Sequence, residues 1–579
     1  MTARAAGGAK SGLLILVPCL AVVAWLVFVP LAALVYFAFT ESTSFAAGGF
    51  TFGNFAEAYL HRRIGRLFAN SLVYALGSSV LSFALGAATA WIVERTDAPL
   101  RRTFHAAALL SFAVPGLLMA MAWTLVLSPN IGWLNAMISA GLGRTAPVFD
   151  IYSMSGMIWA LASHNFPLAY LMLAPAFRVI DRRVEEAAIM AGAGGLGVLA
   201  RVSLPLLRPA MLSTLLLLFI RGMESFEVPR IIGLPAHIDV FTTEIQDATS
   251  TVPPEPGIAA VLSLTLLALS LLGIYFYRRA TRDAASFAIV TGKAYLARPI
   301  ALGRWRWSMG AAMALLFAVA LGLPLATLVW QSFFRNVTPP AASSLAAASL
   351  ANYRYIATYP VFLRAAGNSL LLGAAGASLV VLLTFVMAWI AQRATPRWAV
   401  AVDALIFIPI AVPSVIVGAA ILFAYLVLPI PIYDTLWILL VAYVTLHLPY
   451  GMRFAAGGFA QIHRELEEVA EVSGAGVLAI FRRVLLPLLA PMMIAAWLYV
   501  FVLVVRELAA SFFLVGPQTS VLATLSLTLW DDGGSIGAIC ALGALEIAGL
   551  AVVAFAMRRF ETAVGAGAFT RSSRAAGPA

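Results

Sequence analysis

Charge is what this 579-residue sequence has least of: only 11% of its residues are Asp, Glu, Lys or Arg, against roughly a quarter in a soluble domain. Cysteine is rarer still, with Cys19 and Cys540 alone at opposite ends of the chain, which leaves no basis for a disulfide or a thiolate metal site. Six scattered histidines exclude a histidine metal cluster. No GxxxxGK[ST] sequence occurs, so no P-loop can cradle a nucleotide phosphate. The only adjacent aspartate pair, Asp531-Asp532, lies in a short loop and reads as a solvated turn, so no catalytic constellation is expected.

What is present is apolar: 62% hydrophobic residues and a mean hydropathy of +0.95. A bilayer core about 30 Å thick takes about 20 apolar residues per helix, and a membrane barrel would show short alternating segments instead. Uninterrupted runs such as Leu13 to Phe39 and Val261 to Tyr277 therefore predict an all-α, polytopic membrane protein. Spans are expected near 12–40, 67–93, 105–127, 152–178, 205–228, 257–278, 306–333, 362–391, 399–427, 433–459, 486–515 and 536–557, twelve in all, six in each half. With the N-terminus inside, the segments on that face hold 27 of the 37 Lys and Arg residues, eight lie in the opposite loops, and Arg221 and Arg506 fall within spans. This bias places both termini in the cytoplasm of a cell's inner membrane. It also accounts for the net charge of +11 without a nucleic-acid partner.

The sequence repeats itself. "ANSLVYALGSSVLSFALGAATAWIVERT" from Ala69 resembles "GNSLLLGAAGASLVVLLTFVMAWIAQRA" from Gly367, pairing Asn70 with Asn368, Ser71 with Ser369, Trp91 with Trp389 and Arg95 with Arg393 at an offset of 298. The same offset pairs Asn54 with Asn352 and "AVPG" at Ala113 with "AVPS" at Ala411. An even number of spans per copy keeps both copies in one orientation, so the repeats are parallel. We expect a first half at 1–278, a basic linker at 279–305, a second half at 306–560 and a tail at 561–579.

Two polar stretches interrupt the apolar runs on the cytoplasmic side. "EEAAIMAGAGGLGVLARVSLPLLRP" covers 185–209, and its counterpart covers 467–491, with Glu186, Gly192, Leu204, Pro205 and Pro209 recurring as Glu468, Gly474, Leu486, Pro487 and Pro491 at an offset of 282. A strong helix former, "AAIMA", gives way to glycines where a left-handed turn or close approach is tolerated. A second short helix is expected over Val198 to Ser203, with Leu204-Pro205 opening the next span. Each stretch reads as a helix-turn-helix bracket at the membrane surface, joined rigidly to a span. Lipid contact alone would demand amphipathicity and no fixed turn spacing.

At these residues the sequence resembles the permeases of binding-protein-dependent ABC importers. Their EAA motif is matched by Glu186-Ala187-Ala188, Gly192 and Leu204-Pro205, with Val202 for Ile, and again by Glu468, Ala470, Gly474 and Leu486-Pro487. Val469 and Glu471 depart from it. The resemblance implies the type I importer permease fold, and a motif that docks into a separate cytoplasmic ATPase with Glu186 and Glu468 making polar contacts. Because one chain carries both motifs, it implies two ATPase subunits, an external substrate-binding protein and no second permease chain. The fused layout, "GLPAHIDVFTTEIQDATS" and "VRELAASFFLVGP" resemble the ferric-iron permeases, whose relatives handle thiamine, 2-aminoethylphosphonate and polyamines. No cofactor is implied.

Ionisable residues at membrane depth are functional hypotheses by default. Arg221, Glu224 and Glu227 are spaced three apart and are expected on one helical face, with Arg506 and Glu507 opposite, as an external gate or pathway lining; the alternative is a structural ion pair. His164, Asn165 and His447 are expected to be interhelical hydrogen bonders. Two other classes compete with the importer: a secondary transporter, which would need no duplicated brackets, and a membrane-embedded transferase, which would need clustered acids or histidines at a membrane edge.

Overall fold

The computed structural model describes residues 2–41, 49–61, 64–144, 146–179, 182–193, 197, 201–202, 204–281, 300–393, 396–463 and 465–575. The first half contains helices α1 (Thr2–Ala38), α2 (Ile64–Arg95), α3 (Arg101–Ser111), α4 (Gly116–Leu127), α5 (Met154–Val179), α6 (Arg182–Met190), α7 (Leu204–Glu224), α8 (Phe241–Ser250) and α9 (Pro256–Thr281). The second contains α10 (Arg306–Phe317), α11 (Leu323–Gln331), α12 (Pro360–Arg393), α13 (Pro396–Phe407), α14 (Ser414–Val427), α15 (Leu436–Phe459), α16 (Glu465–Val472), α17 (Leu486–Val505), α18 (Leu522–Asp531) and α19 (Ile536–Ala575).

Among the described residues ten helical stretches are long and apolar enough to cross a bilayer, and the third and ninth expected spans are each broken, α3 from α4 by 107° and α13 from α14 by 102°. The breaks fall on the repeated AVP sequences. Pro115 and Pro413 take extended backbone with ψ near 140°, and Val412 before Pro413 is also extended. Proline lacks the N–H that would continue the helix, and its ring drives the preceding residue out of helical conformation.

Each broken pair is nevertheless one crossing. Along α2 and α5, Gly77 meets Ile158, Gly86 meets Ala169 and Tyr170, and Glu94 pairs with Arg178. The two helices therefore run in the same direction, and the chain between them has to return across the layer, which only α3 and α4 can do. In the second half Gly376 meets Tyr443, Thr384 meets Gly451 and Phe385 meets Phe459, so α12 and α15 are parallel as well. Twelve crossings in two like-oriented sets of six follow.

The halves interlock. α1 of the first half packs on α14 of the second, where Phe37 and Phe423 lie 5.1 Å apart and Trp25 donates to the Tyr425 hydroxyl at 3.0 Å; α11 packs reciprocally on α4. The repeated asparagines serve this arrangement. Asn54 donates to the carbonyls of Phe37, Ala38 and Thr40, and Asn352 to those of Ser332 and Phe334, which occupies carbonyls at and beyond the ends of α1 and α11. A Cβ on Gly257 or Gly537 would collide with those same asparagine side chains at 2.5 Å. Asn70 and Ser71 hold the start of α8, through Asp239 O and Phe241 N; Asn368 and Ser369 hold the start of α18 through Ser520 O and Leu522 N.

Three Leu-Pro pairs, Leu234-Pro235, Leu323-Pro324 and Leu486-Pro487, each follow a five-residue π turn. Widening the helix just before proline relieves the clash between its ring and the carbonyl four residues back. Of the linker, 282–299 lie outside the described residues; Ile300 then bonds to Arg95 O and Asp97 N, fastening the start of the second half to the end of α2. Both brackets consequently lie on one side of the helix layer.

Candidate functional site

The first bracket is α6 followed by Gly192 at φ +89°, and the second is α16 followed by Gly474 at φ +87°. Ala193 N–H donates to Ala188 O and Ala475 N–H to Ala470 O, both at 3.0 Å, and Gly474 N–H donates to Glu471 O. This is the bonding of a helix stopped by a left-handed glycine. A Cβ on either glycine would meet nothing within 4 Å. The glycine is therefore required by backbone conformation and not by crowding, and the alanines fixed in the motif are those whose carbonyls receive the stop.

The exposed face is apolar. Val184, Ala187 and Met190 stand at i, i+3 and i+6 on α6, and Leu466, Val469 and Val472 stand at the same steps on α16, all six exposed. Met190 and Val472, equivalent at the 282 offset, are each 88% exposed. Glu186 and Glu468 are exposed beside them. Ala188, Ala470, Leu204 and Leu486 are half-buried, and Pro205 and Pro487 exposed.

The expected second helix, Val198 to Ser203, lies mostly outside the described residues, and α7 opens at Leu204-Pro205 as expected; the second copy differs. In the second copy Val477–Ile480 continues through the π turn Phe481–Leu485 into α17, so Leu486-Pro487 lies inside one continuous helix and does not open it. The bracket's second arm is the membrane helix itself. In the first copy most of 198–203 lies outside the described residues, and Arg201 and Val202 adopt the same wide turn.

The intramembrane charges differ from expectation in two respects. α7 ends at Glu224, so Glu227 does not share a helical face with Arg221 and Glu224; α17 ends at Val505, so Arg506 caps the helix where the eleventh span was expected to run to 515. Glu227 instead lies against Gly116, its carboxyl carbon 3.6 Å from the position of a Cβ there. Glu507 accepts the Ala510 N–H at 3.2 Å and lies within hydrogen-bonding reach of Ser414. Gly116 and Ser414 are equivalent residues, the first of α4 and of α14, so each carboxylate sits at the N-terminus of a broken span, where the helix dipole favours negative charge.

Arg506 crosses to the first half, donating to the Phe112 carbonyl and lying over the Phe112 ring at 5.2 Å. Among the described residues no ion pair joins any two of Arg221, Glu224, Glu227, Arg506 and Glu507. His164, Asn165, Arg221 and Arg506 line one small cavity between the halves. His447 is buried against the Leu503 backbone with its Nδ1 unpartnered, and His164 and Asn165, also expected to be interhelical hydrogen bonders, make no hydrogen bond among the described residues.

Three features escaped the sequence reading. Glu546 is 7% exposed within α19, near Arg506, and its Oε1 has no hydrogen-bond partner. A single acid in an apolar run was the available signal. Asp531, expected to be a solvated turn, pairs with Arg230 at 2.7 Å across the halves. Glu94 takes both Arg178 nitrogens at 2.7 and 2.8 Å and the Tyr170 hydroxyl, which in turn bonds His105. The equivalents of Glu94 and Arg178 in the second half are Gln392 and Ala460, so this clamp exists only beside the first bracket.

The family of binding-protein-dependent transport system inner membrane components matches this chain twice, at residues 82–284 and 381–565. The Fe(3+)-transport system permease protein FbpB 2 of Haemophilus influenzae is 23% identical over 82% of this chain and 85% of its own length. The ferric transport system permease protein FbpB of Actinobacillus pleuropneumoniae is 24% identical over 84% of this chain and 69% of its own. A putative 2-aminoethylphosphonate transport system permease protein, PhnV of Salmonella typhimurium, is 30% identical over 44% of this chain and 94% of its own length.

Proposed function

This chain belongs to the binding-protein-dependent transport system inner membrane components, and from that premise we propose that it is a fused permease carrying both halves, which two copies of a cytoplasmic ATPase drive through its two brackets. It is a membrane permease of an ABC importer and not itself the enzyme. The observation that carries the reading is the matched pair of exposed apolar triads, Val184, Ala187, Met190 and Leu466, Val469, Val472, each ended by a left-handed glycine. Burying one such Met or Val against a partner contributes roughly 1.5–3 kcal/mol, and two attachments on one rigid body multiply in avidity. Glu186 and Glu468 supply polar contacts at the rim. The continuous second arm, Val477 to Val505, makes the bracket and a membrane helix one lever.

The positive-inside bias supports cytoplasmic brackets and termini, with the external protein delivering cargo to the opposite loops. Loaded binding protein docks there, the ATPases close on ATP, and the halves exchange inward-open and outward-open arrangements. Ferric iron is the proposed cargo, supported by the ferric transport permeases that match most of the chain; 2-aminoethylphosphonate is the second reading, supported by the phosphonate permease that covers less of it.

The test is the double variant Glu186→Lys with Glu468→Lys. It should insert normally, fail to co-purify with the ATPase and lose uptake; normal uptake would contradict the assignment. ATPase stimulation of the reconstituted complex by binding proteins loaded with ferric iron, thiamine or 2-aminoethylphosphonate then identifies the cargo.

A further inference from the structure

Where the broken third span of the first half meets the end of α17 from the second, a cavity of about 20 Å³ is lined by Ser111, Phe112, His164, Asn165, Arg221 and Arg506. In this conformation it has room for one water-sized occupant. At 1.5 Å per residue His164 lies about 15 Å from the start of α5 and about 21 Å from Arg178 at its other end, and Arg221 and Arg506 stand at the ends of α7 and α17, so the cavity sits inside the layer toward the side away from the brackets. Its polar lining is dominated by donors. Among the described residues Arg221, His164 and Asn165 have no hydrogen-bond partner, and Arg506 bonds only the Phe112 carbonyl. Two guanidiniums facing one space repel each other; Glu224 acts on Arg221, and Glu227, Glu507 and Glu546 act on Arg506, from outside the cavity and beyond ion-pair distance, so an acceptor inside it is still favoured.

The acids nearby do not fill it. Glu227 lies against the start of α4, and Glu507, which accepts the Ala510 N–H, lies within reach of Ser414 at the start of α14; both act on Arg506 from there without lining the cavity. Glu224 stands one turn beyond Arg221 on α7, and Glu546 faces Arg506 from α19; neither lines the cavity. Nor is the region built for a bare metal cation, because among the described residues no three His, Cys, Asp or Glu side chains are close enough to share one, whereas a hard cation needs several oxygen ligands.

We propose that this cavity is the closed form of a binding site for a small oxyanion, a phosphonate, phosphate or carboxylate group of the transported cargo, clamped between Arg221 and Arg506 with Asn165 and His164 completing its hydrogen bonds. It rests on the importer reading and narrows it: iron would cross with its charge already covered by oxyanion ligands, and a phosphonate would cross directly. Guanidinium forks suit such groups by pairing two donors with two oxygens.

The test is thermal unfolding of the full chain in lipid nanodiscs, titrated with 2-aminoethylphosphonate, inorganic phosphate, citrate and the thiamine cation. Oxyanions should raise the unfolding temperature saturably and thiamine should not; a response to the phosphoryl probes alone or to citrate alone assigns the group. Arg221→Gln should weaken the apparent affinity about tenfold or more, the loss expected for one charge-assisted hydrogen bond, and Arg221→Lys should retain part of it. Absence of any oxyanion response in the unaltered chain, an equal response to thiamine, or an undiminished response in both Arg221→Gln and Arg506→Gln would overturn the proposal. Because the isolated chain is titrated, failure here leaves ATPase docking untouched, and failure of docking leaves this result standing.

Discussion

Gly192 and Gly474 show how far a single residue determines the shape of the proposed coupling surface. Each holds φ near +88°, a conformation in which a Cβ costs roughly 1–2 kcal/mol. Gly192→Ala or Gly474→Ala should therefore leave membrane insertion intact, since nothing lies near the added methyl. Either should nevertheless weaken ATPase co-purification about fivefold to thirtyfold by redirecting the end of α6 or α16. This spacing was legible in the sequence because a helix stop is local: the alanine carbonyl and the glycine that completes its bond lie within one turn. Glu546 and the Arg230–Asp531 pair were not legible, because their meaning depends on partners brought together from distant parts of the chain.

Among the elements, the broken spans and the interlocked first helices carry the architecture. The AVP repeats marked the breaks, but a run of hydropathy reads a helix bent by over 100° as straight, and the buried helices α8 and α18 are too short and mixed to register as spans. The repeated asparagines hold these elements in place. Asn54→Ala would leave carbonyls at the end of α1 without their donor, and we expect a loss of about 1–3 kcal/mol in stability, read as a lowered unfolding temperature in nanodiscs. Asn352→Ala should do the same at α11. The one-sided clamp of Glu94 on Arg178 ties α2 to α5 four residues before the first bracket. Glu94→Gln should reduce uptake per ATP hydrolysed while leaving ATPase co-purification unchanged, a split that a general folding defect would not produce.

For the whole molecule, two six-crossing halves share one continuous core, and Arg230 with Asp531 joins them on the side away from the brackets. Force entering at two equivalent points can then act on a single interface, which contains the cavity between Arg221 and Arg506. The halves, their common orientation and the brackets were legible because repetition at fixed offsets survives in sequence, whereas the closure of the interface is a long-range property. The most direct test of the two-socket account is native mass spectrometry of the chain with its ATPase, counting ATPase copies per permease. The account predicts two copies for the unaltered chain, fewer for Met190→Asp or Val472→Asp alone, and none for both together with insertion preserved. Two copies retained by the double variant would contradict it.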